Sequence, residues 1–433
     1  MTEAASELYA LVRELYPICR SITGDGVRET LRILAQRLPL EIREIRSGTQ
    51  VLDWTVPREW NIRDAYIADA SGKRVVDFRQ NNLHLMSYST PVRTELTLAE
   101  LKPHLYSLPE QPSLVPYRTS YYAEAWGFCL AHEQLQALAE GTYSVCIDAT
   151  LEPGSLTYGE LLLPGASTEE ILISTHVCHP SLADDNLSGI AVSVALAREI
   201  SQRKERRYSY RFLYAPGTIG AITWLAQNRA TATRVKHGLT LTCLGDAHPF
   251  TYKRTVFGRA EVDRAAAHVL ARTNARSQTE HRTIDFFPYG YDERQFNSPG
   301  FRLEVGSLMR GRHGQFPEYH TSADNLDFVS GERLEESLGV LREILNVLED
   351  NRSYRNLAPY GEPQLGSRGL YRATGGTNIP NLQFAMLWVL NLSDGAHSLL
   401  DIAERASLDF SAIAAAAKLL AEHGLLETVA SKS

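Results

Sequence analysis

Residues 174–189 read STHVCHPSLADDNLSG, placing two histidines, a cysteine and two adjacent aspartates just after an apolar run. Imidazole nitrogen and carboxylate oxygen are the donors zinc favours, and an open zinc site keeps a water that serves as nucleophile. The run EEILISTHV predicts a strand ending at His176, YRFLYAP leads to Pro216 and Gly217, and LTLTCLGD ends in Asp246. A fourth contribution, His320, stands in EYHTSADN ahead of a helical stretch. Ligands of open parallel sheets gather beyond the carboxyl ends of the strands. His176, Asp185, Asp246 and His320 are therefore the expected metal ligands. Donors drawn from four separate elements fit a catalytic centre better than the tight local spacing of a zinc finger. His179 precedes Pro180 and reads as structural, Cys178 as a small buried apolar residue, and Asp184 as a favourable charge at a helix start.

The elements that must position these residues follow from periodicity. ELYALVRELY and VRETLRILAQRL repeat apolar residues three and four apart, so residues 3–38 predict helices. Residues 48–114 alternate short β-prone runs with turn residues such as ASGK and predict a small β module. From about 116 to 350, strand-like and helix-like stretches alternate, which implies a mostly parallel sheet with helices on both faces. A Gly-, Pro- and Asn-rich linker then leads to a helical C-terminal segment. The expected organisation is a split α/β domain of 1–47 with 115–355, an inserted β domain of 48–114, and a linker and terminal domain of 356–433. Of the 433 residues, acidic ones outnumber basic ones to give a net charge of −7, which argues against nucleic acid or an anionic membrane as partner. No run of about 18 apolar residues and no signal-peptide pattern are seen. Five cysteines without framework spacing fit reduced thiols, so a cytoplasmic location is expected.

Four motifs in order, HVCHPSLADDNLSG, YAPGTIGAITWL, PYGYDERQFNSPG and PEYHTSADN, resemble the aminopeptidase-like branch of the co-catalytic zinc aminopeptidase superfamily. The likeness covers nearly the whole chain: a split peptidase domain, an inserted β domain and a C-terminal winged helix. It implies that His176 binds one zinc, that Asp185 bridges two, that a strand-end aspartate, best matched by Asp246, completes the first, and that His320 after Tyr319 binds the second. It also implies a Glu-Glu pair, general base then ligand, which the branch carries as Glu-Thr. This chain reads PGTIG there, so Gly217 stands at the base position and Thr218 at the ligand position.

A positioned general base contributes about 10²–10⁴-fold, so its loss requires a substitute or a different reaction. Glu293, Asp184 and Asp292 are candidates. Glu293 is preferred because YGYDERQF is a charged loop bounded by Gly and Pro, where functional groups concentrate. With one ligand position lost, one zinc is as consistent as two. Tyr319 and Arg310 are candidate substrate-binding residues, the arginine for a carboxylate, with a solvated loop as its bland alternative. In the terminal segment, the second helix DFSAIAAAAKLLAEH is alanine-rich with an acidic balance. That suits protein contact, such as a homo-oligomer, and not DNA. The expected function is a zinc-dependent hydrolase cleaving an amide of a small peptide or aminoacyl conjugate in biosynthesis. The alternative is a metal-binding non-peptidase.

Overall fold

The computed structural model describes residues 2–277, 279–370 and 381–429. Part of the expected linker, 371–380, lies outside the described residues. The chain divides into two compact units, residues 1–263 with 280–339, and 264–279 with 340–433.

The first unit is built on an eight-stranded sheet in the order Glu41–Arg46, Ser155–Leu163, Ser209–Ala215, Glu170–His176, Val235–Leu241, Val305–Met309, Thr251–Lys253, Arg282–Ile284. Its four middle strands, from Ser209–Ala215 to Val305–Met309, are mutually parallel. Both flanks join antiparallel. Every residue of Glu170–His176, Ser209–Ala215 and Val305–Met309 is buried. Continuous burial, as opposed to alternation, is what coverage on both faces requires. Helix Gly189–Ser201 buries nine of its thirteen residues, and Ile219–Gln227 buries its first seven. Helix Glu3–Leu15 buries Ala5, Leu8, Leu11, Val12 and Leu15, a spacing that makes one apolar stripe.

The small β module differs from the expected 48–114. Its four-stranded sheet runs Arg74–Asp77, Glu59–Ala68, Thr142–Glu152, Val92–Thr97. The long strand Thr142–Glu152 comes from beyond residue 114 and pairs with Glu59–Ala68 over almost its whole length. It then turns at Pro153 and Gly154 into Ser155–Leu163 of the large sheet. Pairing between segments some eighty residues apart is set by tertiary contact, which local composition does not reveal.

Arg28 ties these parts together. Its guanidinium makes two 2.6 Å bonds to the Glu59 carboxylate and one of 2.7 Å to Glu44. Those bonds, above all else, hold the Glu59 carboxyl down at about 2. A carboxyl depressed in the folded state stabilises above its unfolded value, about 4.3, and loses that contribution as pH falls towards about 2. Arg28→Ala is expected to lower the urea midpoint at neutral pH. It should also flatten the fall in stability across this acid window, as a pH series of urea titrations would show.

The second unit contains a winged helix, from residue 353 onward. Helices Asn381–Leu392, Leu399–Ala406 and Phe410–Glu422 accompany a three-stranded antiparallel sheet in which Ser353–Asn356 lies between Asp394–Ser398 and Leu426–Thr428. Among the described residues, no helix is long and apolar enough to cross a membrane.

Candidate metal centre

Three adjacent parallel strands deliver the site at their carboxyl ends. Glu170–His176 ends in His176, Ser209–Ala215 runs into Gly217, and Val235–Leu241 is followed at once by Thr242. The segment Ala183–Ser188 departs from helical geometry at Asp185 and Asn186 before helix Gly189–Ser201 begins, which turns the Asp185 carboxylate back towards His176. Asp324 fixes that turn, accepting the Asp184 amide at 2.6 Å and the Asp185 amide at 3.0 Å. His320, at φ 56°, is in the left-handed region that non-glycine residues adopt under constraint. Its carbonyl accepts the Tyr117 amide at 2.8 Å.

These elements gather three imidazoles around one buried carboxylate. His176 Nε2 lies 2.9 Å from Asp185 Oδ1, and His320 Nε2 lies 2.9 Å from Oδ2. His179 Nε2 stands 3.9 Å from Oδ2, too far for a hydrogen bond. The donor atoms of His176, His179 and Asp185 all lie within 4.8 Å of one another. Burial opposes ionisation of Asp185, but the facing His179 and His176 imidazoles and the hydrogen bonds from His176 and His320 outweigh it and hold the group well below the usual carboxylate range. Burial pushes His179 well below the usual imidazole range. An ionised carboxylate beside a neutral imidazole with an uncommitted nitrogen is the donor chemistry a divalent cation requires, so these residues fit a metal.

Aromatic rings close the surroundings. Tyr291 packs on His176 with ring centroids 3.8 Å apart, and Tyr319 stacks on His320 at 3.9 Å. Tyr117 lies against His179 and His320 at 5.0 and 5.1 Å. The Tyr291 hydroxyl is 3.1 Å from Cys178 Sγ, and a Cβ on Gly217 would overlap the Tyr291 ring. Tyr291 thus fills the space into which a side chain at 217 would project. His313, pushed down to about 4 chiefly by burial, pairs with Thr242 Oγ1 at 3.3 Å.

His176, Asp185 and His320 come together as expected, with Tyr319 beside them. Three other expectations are corrected. Asp246 accepts the His248 amide at 2.6 Å and the Gly311 amide at 3.0 Å, so both of its oxygens are committed to backbone. The residue that Val235–Leu241 brings to the cluster is Thr242, whose hydroxyl is 3.5 Å from Asp185 Oδ1. Glu293 is fully buried, ion-paired with Lys253, and accepts the Tyr291 amide. A carboxylate so compensated holds the loop and is no free base. Asp184 and Asp292 are both pushed well above the usual carboxylate range, first by burial. Arg310 is 2% exposed and donates to Ser337, Glu336 and the carbonyls of His248 and Arg333. It is neither a carboxylate anchor nor part of a solvated loop.

Sequence reasoning read His179 as structural and passed over Tyr291, Thr242 and Asp324. The available signals were the spacing of three from His176 to His179, and an aspartate four residues after His320. Asp324→Ala frees the two amides that set the Asp185 turn. It is expected to weaken divalent-metal binding at this centre by about 10–100-fold, the usual effect of losing a group that orients a ligand, measured by competition with a chromophoric chelator.

The family described as "Domain of unknown function (DUF4910)" matches residues 9–351. The chain belongs to this family. A winged helix-turn-helix family matches 352–428. A Clostridium acetobutylicum protein named "Putative polysaccharide biosynthesis protein with aminopeptidase-like domain" is 51% identical over 429 residues, covering 99% of this chain and 98% of its own. A crystal structure of a "putative peptidase" from the same organism is 50% identical with TM-score 0.93, over 99% of this chain and 97% of that one. A zinc aminopeptidase from Bacillus subtilis aligns over 80% of this chain and 95% of its own, with TM-score 0.56 at 14% identity. At that identity the likeness is one of fold: the family member described here has an aminopeptidase-like domain followed by a winged helix.

Proposed function

We propose that this protein is a metal-dependent hydrolase of aminopeptidase-like type that cleaves an amide bond of a small peptide or aminoacyl conjugate. The observation that carries the reading is the ionised, buried Asp185 carboxylate ringed by His176, His179 and His320 at the strand ends. His176 and Asp185, with a neighbouring imidazole, would hold zinc. A bound zinc ion supplies Lewis acidity towards a carbonyl oxygen and acidifies water at neutral pH. Tyr117, Tyr291 and Tyr319 pack round the imidazoles and hold their orientation. With Gly217 lacking a side chain and Glu293 tied to Lys253, the proton falls to an imidazole on Asp185. The name of the Clostridium relative supports a tailoring or deprotecting step in polysaccharide assembly. Cysteines without framework spacing support a cytoplasmic setting, and the alanine-rich terminal helix a homo-oligomer contact.

The test is amine release from a panel of aminoacyl amides and aminoacyl sugars. Chelation should abolish it and zinc restore it; turnover unaffected by chelation excludes the reading. Tyr291 occupying the space beside Gly217 favours a second reading, a metal-binding protein with a different transfer reaction. A zinc-loaded protein inert towards every amide in the panel would support that one.

A further inference from the structure

Resting on that reading, we propose that the centre takes a single divalent ion on His176 Nε2, His179 Nε2 and an Asp185 oxygen, and that His320 stays outside its coordination. Two imidazoles and one carboxylate with an open position are a complete protein ligand set for a catalytic zinc. The three donors lie within 4.8 Å of one another, and all three side chains are buried. Donor atoms round one tetrahedral zinc stand roughly 3.3–3.5 Å apart, from bond lengths near 2.1 Å. His176 Nε2 stands 2.9 Å from Asp185 Oδ1 and His179 Nε2 stands 3.9 Å from Oδ2, so the two imidazoles reach the two oxygens of one carboxylate at separations close to that spacing. His179 is also fixed from behind: Arg20 Nε donates to its carbonyl at 2.9 Å, and the Tyr117 ring packs on its imidazole.

A second ion on the far side of Asp185 would find few donors. The nearby positions that could have supplied carboxylates carry Gly217, Thr218 and Thr242, and Asp246 is committed to backbone amides. Among the described residues, His176, His179 and Asp185 are the one group of three or more such donors close enough to share an ion, and a zinc site takes three protein ligands. The His320 side chain is 32% exposed, against 2% for His176 and 6% for His179. Left free of the ion, it is the imidazole of the cluster that faces an arriving substrate.

The experiment strips metal from the full-length protein and titrates it with cobalt(II), whose visible absorption reports coordination; zinc content is measured in parallel. One ion per chain is expected. His179→Gln should weaken cobalt binding by more than the roughly 10–100-fold that follows loss of an outer-shell partner. His179→Asp, which restores an oxygen donor, should recover binding with a shifted spectrum. His320→Gln should keep both stoichiometry and spectrum. Circular dichroism of each variant separates ligand loss from unfolding, and the His179→Asp recovery decides if His179→Gln fails to fold. Two ions per chain, or loss of binding in His320→Gln with retention in His179→Gln, overturns the assignment and leaves the hydrolase reading standing. No ion bound at all removes both.

Discussion

Asp185→Asn is expected to abolish zinc binding and any amide hydrolysis, while its neighbour substitution Asp184→Asn leaves both in place. The two aspartates are adjacent in sequence and both fully buried, yet their surroundings shift them in opposite directions. Asp185 faces His179, His176 and His320 and is held ionised. Asp184 is pushed well above the usual range by burial and then by the carboxylates of Asp246 and Asp324. Its Oδ1 accepts the Gly245 amide at 2.7 Å, a role an asparagine can keep. At Asp185 an amide removes the charge that attracts a cation and leaves the imidazoles round a neutral group. Thermal or urea unfolding with and without zinc reads the difference. At a free zinc concentration of 100 Kd, linkage adds about 2.7 kcal/mol to wild type and to Asp184→Asn, and nothing to Asp185→Asn. Equal stabilisation of all three proteins would place the ion elsewhere.

What could be read from the chain in advance follows a physical division. His176 and Asp185 were legible because both belong to one local run: an apolar strand, a polar turn and a helix start within sixteen residues. His320 was legible from its motif. Asp246 misled because a strand-end carboxylate was sought by residue type. The strand ends at Leu241, and the next residue, the buried Thr242, is the one aimed at the cluster. Five residues of chain are enough to carry Asp246 round to the Gly311 amide. Glu293 misled for a related reason. Charge in a Gly- and Pro-bounded loop marks function only while it is unpaired, and its partner Lys253 is forty residues away on the strand Thr251–Lys253. Arg310 likewise has all its acceptors on segments that only the fold brings near. His179 was discounted because proline follows it, but Pro180 restricts His179 to extended backbone, and an extended turn can bring residues three apart to one centre. The small sheet extends past 114 because strand pairing is non-local, whereas composition is local.

Gly217→Glu alone is expected to destabilise the protein without raising amide hydrolysis, whereas Gly217→Glu with Tyr291→Ala should do better on both counts. A Cβ at 217 would overlap the Tyr291 ring, which is itself pinned between His176, with ring centroids 3.8 Å apart, and the Cys178 thiol. The ring has little room to retreat: its backbone amide is held by Glu293, and Glu293 by Lys253, all of them buried or nearly so. Forcing a side chain into such packing typically costs about 1–3 kcal/mol. Removing the Tyr291 ring opens the space, so the double variant should be more stable than the sum of the two singles by a coupling of about 0.5–3 kcal/mol, the range for residues in contact. A urea-denaturation double-mutant cycle measures it, and zero coupling would show that Tyr291 does not occupy that space. The same four proteins decide the chemistry. If the missing carboxylate is what limits amide cleavage, the double variant gains hydrolysis by up to about 10²–10⁴-fold over wild type. If wild type already cleaves its aminoacyl substrate well and the double variant is slower, an imidazole carries the proton and Tyr291 is part of how that imidazole ring is oriented.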